Sequence, residues 1–262
     1  MTDVIGPSAA KRSEVPNEWT TEGERRLYES LDWYWHPVLF ASELGTAPVQ
    51  ATLLGRRVVV VRMGGGVKAF IDRCAHRGTA VSLGWVEDDC IRCPYHGWLY
   101  DSEGVCVEIP AREEVAISPR ARLEQLHAAE QNGLIYVCLA DEPKIGIPAF
   151  PEFDDDTYVL VQIPDYQWQT GAARRTENFV DFSHFAWIHD GVLAERDQPL
   201  VPDHEVQRDG WELRTHVVIN EPAHTEKTAT LGLDAETVTV PGRRNYRIPL
   251  PFSVWIQQEL PD

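Results

Sequence analysis

The sequence predicts an α+β protein in two domains, an antiparallel β domain followed by a domain of sheet and helix, and three observations carry that prediction. Between Trp33 and about Glu142 the chain is a succession of short β-type runs, WYWHPVLF, ATLLG, VVVVRM, VKAFID, VCVEI and LIYVCLA, separated by Gly, Asp and Asn. One later segment, GAARRTENFVDFSHFAWIHDG, has Gly at each end and good helix formers inside, and it is the one long helix predicted. Strand-like text then resumes to the last residues. A length of 262 residues, 43% hydrophobic, suffices to bury two modest cores.

Taken in order, residues 1 to about 18 form an arm without expected order, and Thr20 or Thr21 caps a short helix running towards Leu31. The expected partition is an arm and helix over 1–32, the β domain over 33–145, and the second domain over 146–262. The Pro-rich, acidic stretch EPKIGIPAFPEFDDD is the natural linker. TYVLVQI and YQWQT read as strands before the long helix. After it, a hairpin turns at Asp209-Gly210 with EVQR and ELRTHVVIN as its arms, and TVTV, YRI and FSVWIQQEL complete the set. There is no internal repeat.

A formal charge of −17, from 24 Lys+Arg against 41 Asp+Glu, argues against nucleic acid, which needs a concentrated basic surface. An acidic surface suits docking by a basic electron-transfer partner, and equally serves plain solubility. The first thirty residues lack the apolar stretch of a secretory signal, and apolar runs such as Val58 to Val61 are far too short to cross a bilayer. The expectation is a cytoplasmic protein with no membrane contact. Five cysteines is an odd number for a disulfide framework, so metal chemistry is the better use for them.

Cys74-x-His76, then sixteen residues, then Cys93-x2-His96 gives two Cys/His pairs, each short enough for one loop. Such a set also describes a structural zinc site. Zinc fingers, however, usually pair Cys with Cys and His with His, whereas each loop here offers one of each. That suits a two-iron cluster in which one iron takes both thiolates and the other both imidazoles. The glycines of His76-Arg77-Gly78 and His96-Gly97-Trp98 let each loop bend back over the cluster. With these residues the chain resembles the Rieske family. The resemblance leaves Cys90, Cys106 and Cys138 as ordinary small apolar residues. Arg77, Gly78 and Gly97 stand where respiratory Rieske proteins place a disulfide, so the loops resemble the oxygenase and ferredoxin branch.

The predicted helix carries Asn178-Phe-Val-Asp181-Phe-Ser-His184-Phe-Ala-Trp-Ile-His189. Two histidines with an Asp one turn before the first make a metal pair with a supporting carboxylate. This text resembles the mononuclear iron site of Rieske oxygenases, where two histidines and a carboxylate form a facial triad. The resemblance implies Fe(II) on His184 and His189, Asp181 hydrogen-bonded to His184 and bridging to His96 of a neighbouring subunit, and Asn178 near the iron. Because residues five apart lie about 140° apart on a regular helix, a π-bulge or a helix end near Trp187 is expected. SHFAWIHDGVLAER is similar to the single-component group with oxidative demethylases and guanidinium-toxin hydroxylases.

The family likeness further implies a helix-grip catalytic domain, a homotrimer, and O₂ as co-substrate for a small organic molecule. Electrons would come from NAD(P)H through a reductase, with a ferredoxin as an alternative intermediary. Trp211, Val217, Val240, Phe252 and Trp255 are the expected pocket lining. The family's third iron ligand comes from a C-terminal helix that this sequence does not reach, and Asp190, Asp203, Asp209, Asp234 and Asp262 are poor substitutes. The chain is therefore expected to be a truncated oxygenase subunit, or one completed by another polypeptide, with an apolar sheet face left open.

Overall fold

A computed structural model describes residues 26, 28–112, 116–222 and 239–259. The expected arm and the Thr20/Thr21 cap lie outside the described residues. The chain divides into two compact units between Leu160 and Val161. Its make-up, mostly antiparallel sheet with few helices, is the expected α+β class.

The first unit holds two sheets. Six strands, β1 (His36–Phe40), β2 (Val49–Leu53), β3 (Arg56–Met63), β4 (Gly66–Ile71), β9 (Gln125–Gln131) and β10 (Leu134–Cys138), pair antiparallel in the order β1-β10-β9-β4-β3-β2. Four shorter ones, β5 (Trp85–Glu87), β6 (Cys90–Arg92), β7 (Leu99–Tyr100) and β8 (Cys106–Glu108), form a meander. Strand β3 explains the unbroken Val58–Val61 run. Val59, Val61 and Met63 pack on one side with Phe70, Ile91 and Tyr100, while Val58 and Val60 pack on the other with Ala69, Ile135 and Val137. A strand buried on both faces is apolar at every position. Strands β5–β7 and β9 escape sequence reading because they are short or polar, and pairing rather than propensity makes them strands.

The second unit is built on a four-stranded antiparallel meander, β11 (Val206–Asp209), β12 (Glu212–Pro222), β13 (Thr239–Pro249) and β14 (Trp255–Glu259). The hairpin turns where expected, with Asp209 opposite Glu212 and Gly210 at φ +57°. Val217, Ile219 and Tyr246 on one face pack against Phe182, Phe185 and Ala186. The opposite face carries exposed Arg214, His216, Asn220 and Arg243, with Val218. Exposed apolar side chains gather at Val159, Leu160, Val161 and Ile163. There the expected strands TYVLVQI and YQWQT are irregular, because no described strand pairs with them and β-propensity without a partner does not make a ladder.

Candidate functional site

The two Cys/His loops are built alike. The first leaves β4, and Cys74 N–H donates to Thr79 C=O (2.8 Å) while Gly78 N–H donates to Cys74 C=O (2.9 Å). The second joins β6 to β7, and Cys93 N–H donates to Trp98 C=O (2.9 Å) while Gly97 N–H donates to Cys93 C=O (3.1 Å). Gly78 and Gly97 sit at φ +76° and +71°, a region costly for any residue with a Cβ. The repeated turn buries both cysteines in the β3 core and carries both histidines outward, so that the imidazole centroids lie 4.5 Å apart.

Aromatic residues and one hydroxyl surround this group. Trp98 stacks on His76 at 4.6 Å with planes 3° apart, Tyr95 packs on His96 at 3.9 Å, and the buried Tyr100 hydroxyl lies 3.1 Å from Cys74 Sγ. His76 Nδ1 is buried without a hydrogen-bond partner, the kind of atom that demands an explanation and that a metal supplies. Burial raises the Cys93 thiol, so a nearby cation is what would make it a thiolate ligand. Among the described residues no three His, Cys, Asp or Glu donors converge as a single-metal set. A lone tetrahedral zinc takes four such donors, whereas a two-iron cluster needs two protein donors per iron. The other cysteines are free; Cys106 and Cys138 are buried, their Sγ atoms donating to the carbonyls of Glu108 and Asp32.

The long helix expected from the sequence is two helices, α1 (Ala172–Val180) and α2 (Phe185–Ile188). Asp181 breaks it. Its backbone turns extended (φ −90°, ψ 100°), and its Oδ1 accepts both Ser183 N–H (2.9 Å) and Ser183 Oγ–H (2.5 Å), a side-chain turn that competes with helix. His184 and His189 cap the single turn of α2 at its two ends, with ring centroids 5.3 Å apart. Bonding stays regular through Ile188 N–H to His184 C=O and His189 N–H to Phe185 C=O, so no π-bulge forms. The helix simply ends, with His189 at φ −114°, ψ 32°, which lets residues five apart face each other.

His184 Nδ1 is buried without a hydrogen bond and lies 3.5 Å from Asp181 Oδ2, beyond the reach of the hydrogen bond expected between them. Hydrogen bonds from Ser183 hold the Asp181 carboxyl below its ordinary range. Asn178 Oδ1 accepts from Arg175 Nη1 at 2.8 Å. Asp190 is engaged by the Arg196 backbone and side chain, and Asp209 by Arg214; Asp234 and Asp262 lie outside the described residues.

A cavity of about 400 Å³ adjoins α2, lined by Phe182, Phe185, Leu200, Val218 and Asn220 among others. Of the five lining residues expected from the sequence, the four whose side chains are described do not contribute to it. Trp211 and Phe252 line a separate hollow of about 350 Å³ against α1, Val217 is core, and Trp255 lies beside Arg247. The Val240 side chain lies outside the described residues. Strand alternation could not show which sheet face the helix covers; the usable signal was the pair of Phe residues flanking His184.

Comparison with known proteins meets this geometry at both ends of the chain. Residues 34–119 match the Rieske [2Fe–2S] domain, and residues 168–262 match the vanillate O-demethylase oxygenase C-terminal domain. The chain carries a Rieske domain followed by an oxygenase C-terminal domain, the pair that its Rieske oxygenase relatives combine. It is 34% identical to methylxanthine N3-demethylase NdmB of Pseudomonas putida over 88% of its own length and 65% of that protein's. Against methylxanthine N1-demethylase NdmA of the same organism it is 39% identical over 66% of its length and 52% of the relative's. The solved structure of an NdmA mutant with caffeine superposes with a TM-score of 0.74 at 32% identity, over 88% of this chain and 66% of that one. The chain thus spans between about half and two thirds of these relatives. Among the described residues no helix is long and apolar enough to cross a membrane.

Proposed function

We propose that this chain works as the terminal oxygenase component of a Rieske non-haem iron system, taking electrons from NAD(P)H through a reductase, directly or by way of a ferredoxin. The observation that carries this reading is the coexistence of two like-built Cys/His loops with a histidine pair that has a carboxylate 3.5 Å from one ring. Cys74, His76, Cys93 and His96 would hold a [2Fe–2S] cluster and His184 and His189 a mononuclear Fe(II), the first supplying single electrons and the second O₂ activation. The buried, unpartnered Nδ1 of His76 and the carboxylate-backed ring of His184 fit those roles.

The chain's own residues prepare both sites. Trp98 and Tyr95 restrict the two imidazoles, and the Asp181 carboxylate stands 3.5 Å from the His184 ring. Phe182 and Phe185 form the apolar, buried side of the cavity beside His184, and Leu200 lies at its exposed rim. A small molecule with both apolar and polar groups suits the cavity, whose lining also includes Asp197 and Gln198. The likeness to NdmA and NdmB favours removal of an N-methyl group over dihydroxylation. Five free thiols suit the cytoplasm. The test is iron and labile-sulfide quantitation on the purified chain, with EPR after reduction. Two irons with matching sulfide and a Rieske-type signal are expected, plus a third, chelator-labile iron lost in the His184→Ala, His189→Ala variant. A chain with zinc and no sulfide would end this reading.

A further inference from the structure

Arg92 forms a network beside the cluster loops that the proposed function does not use. It ends β6, directly before Cys93, and its side chain is 14% exposed. Nε donates to Glu87 Oε1 at 2.6 Å, and Nη1 donates to Gly97 C=O at 2.6 Å and to Glu108 Oε1 at 3.3 Å. Nη2 donates to Glu108 Oε2 at 2.8 Å and reaches Glu87 as well. Four hydrogen bonds leave the guanidinium, and Nη2 forms an ion pair with Glu87 besides. Glu87 ends β5 and is fixed in turn by Trp85 Nε1 at 2.6 Å, and Glu108 ends β8. One side chain ties three strands to the carbonyl of the residue that follows His96.

The geometry is of the bidentate kind that only arginine makes, since lysine lacks both the planar fork and the donors. Its charge matters too. One guanidinium between two carboxylates leaves a net −1 beside the loop, and reduction adds a further electron there. Without the guanidinium the two glutamates would oppose that electron more strongly.

We propose that Arg92 is a positioning residue for the second cluster loop, holding Gly97 C=O beside His96 and keeping the cluster's reduction potential higher than the two glutamates alone would allow. This rests on the assignment of Cys93 and His96 as cluster ligands. The test uses the full chain with its cluster, comparing Arg92→Gln, Arg92→Lys and Glu108→Gln by redox titration and by EPR of the reduced state, normalised to labile sulfide. Arg92→Gln should lower the potential. Glu108→Gln should raise it by less, because Glu108 is 44% exposed, and added salt should shrink that shift. Arg92→Lys should keep most of the potential but alter the g values, because the fork is lost. Wild-type g values and potential in both arginine variants would overturn the proposal, as would shifts of the same sign in Arg92→Gln and Glu108→Gln. If Arg92→Gln fails to fold, unchanged g values in Arg92→Lys with an unmoved potential in Glu108→Gln overturn it equally. Absence of a cluster from the wild-type chain would instead sink the ligand assignment.

Discussion

Asp181 does two jobs at one position. Its Oδ1 makes the turn that ends α1, and its Oδ2 stands 3.5 Å from His184. Asp181→Asn preserves the turn's acceptor but removes the charge, so both metal sites should stay filled while turnover falls by at least an order of magnitude. Iron content and O₂ consumption check this together, and loss of iron would show Asp181 to be needed for retention. His36 shows a different residue-scale effect. It is buried, its Nε2 is 2.8 Å from Leu31 C=O, and burial holds its imidazole below the ordinary 6.5. On acidification the unfolded chain takes up that proton before the folded one does. The stability it contributes is therefore complete above about 6.5 and falls as pH drops towards the lowered folded value. Urea midpoints should decline more steeply between about pH 7.5 and 5.5 in the wild type than in His36→Gln.

Close backbone approach constrains the elements that carry the loops. At Gly84, before β5, an added Cβ would sit 1.9 Å from the carbonyl oxygen of Arg92 on β6. Gly84→Ala must push β5 away from β6 and disturb the loop that begins at Cys93. A loss of about 1–3 kcal/mol, the usual cost of overpacking, is expected as a lower thermal midpoint. Calorimetry of the variant reads it directly, and an unchanged midpoint would mean the strands separate freely. The break between α1 and α2 belongs to this scale as well. Helix formers run through the whole segment, yet the local hydrogen bonds of Asp181 to Ser183 outcompete continuation, and that break places His184 and His189 at opposite caps of one turn.

At the scale of the molecule, the family resemblance implies an electron path from His96 of one subunit to Asp181 of the next within a cyclic trimer, and His96 is exposed. Sedimentation should show a trimer as the active species. A monomer with full turnover would remove the need for any bridge between subunits.

The Cys/His loops were legible in the sequence because their chemistry is local: four residues on two short loops, each with its glycine, identify themselves by spacing. The six long or apolar strands and the Asp209-Gly210 hairpin were legible for the same reason, since alternation and turn residues act over a few positions. Tertiary structure alone decided the rest. It buried β3 on both faces, left TYVLVQI unpaired, and gathered Glu87, Arg92 and Glu108 from three strands around one carbonyl. It also made two hollows, one against Phe182, Phe185 and Leu200 and another against Trp211 and Phe252. Those outcomes depend on which surfaces meet, and the free energy of such contacts belongs to pairs of segments far apart in the chain, so no single stretch of sequence encodes it.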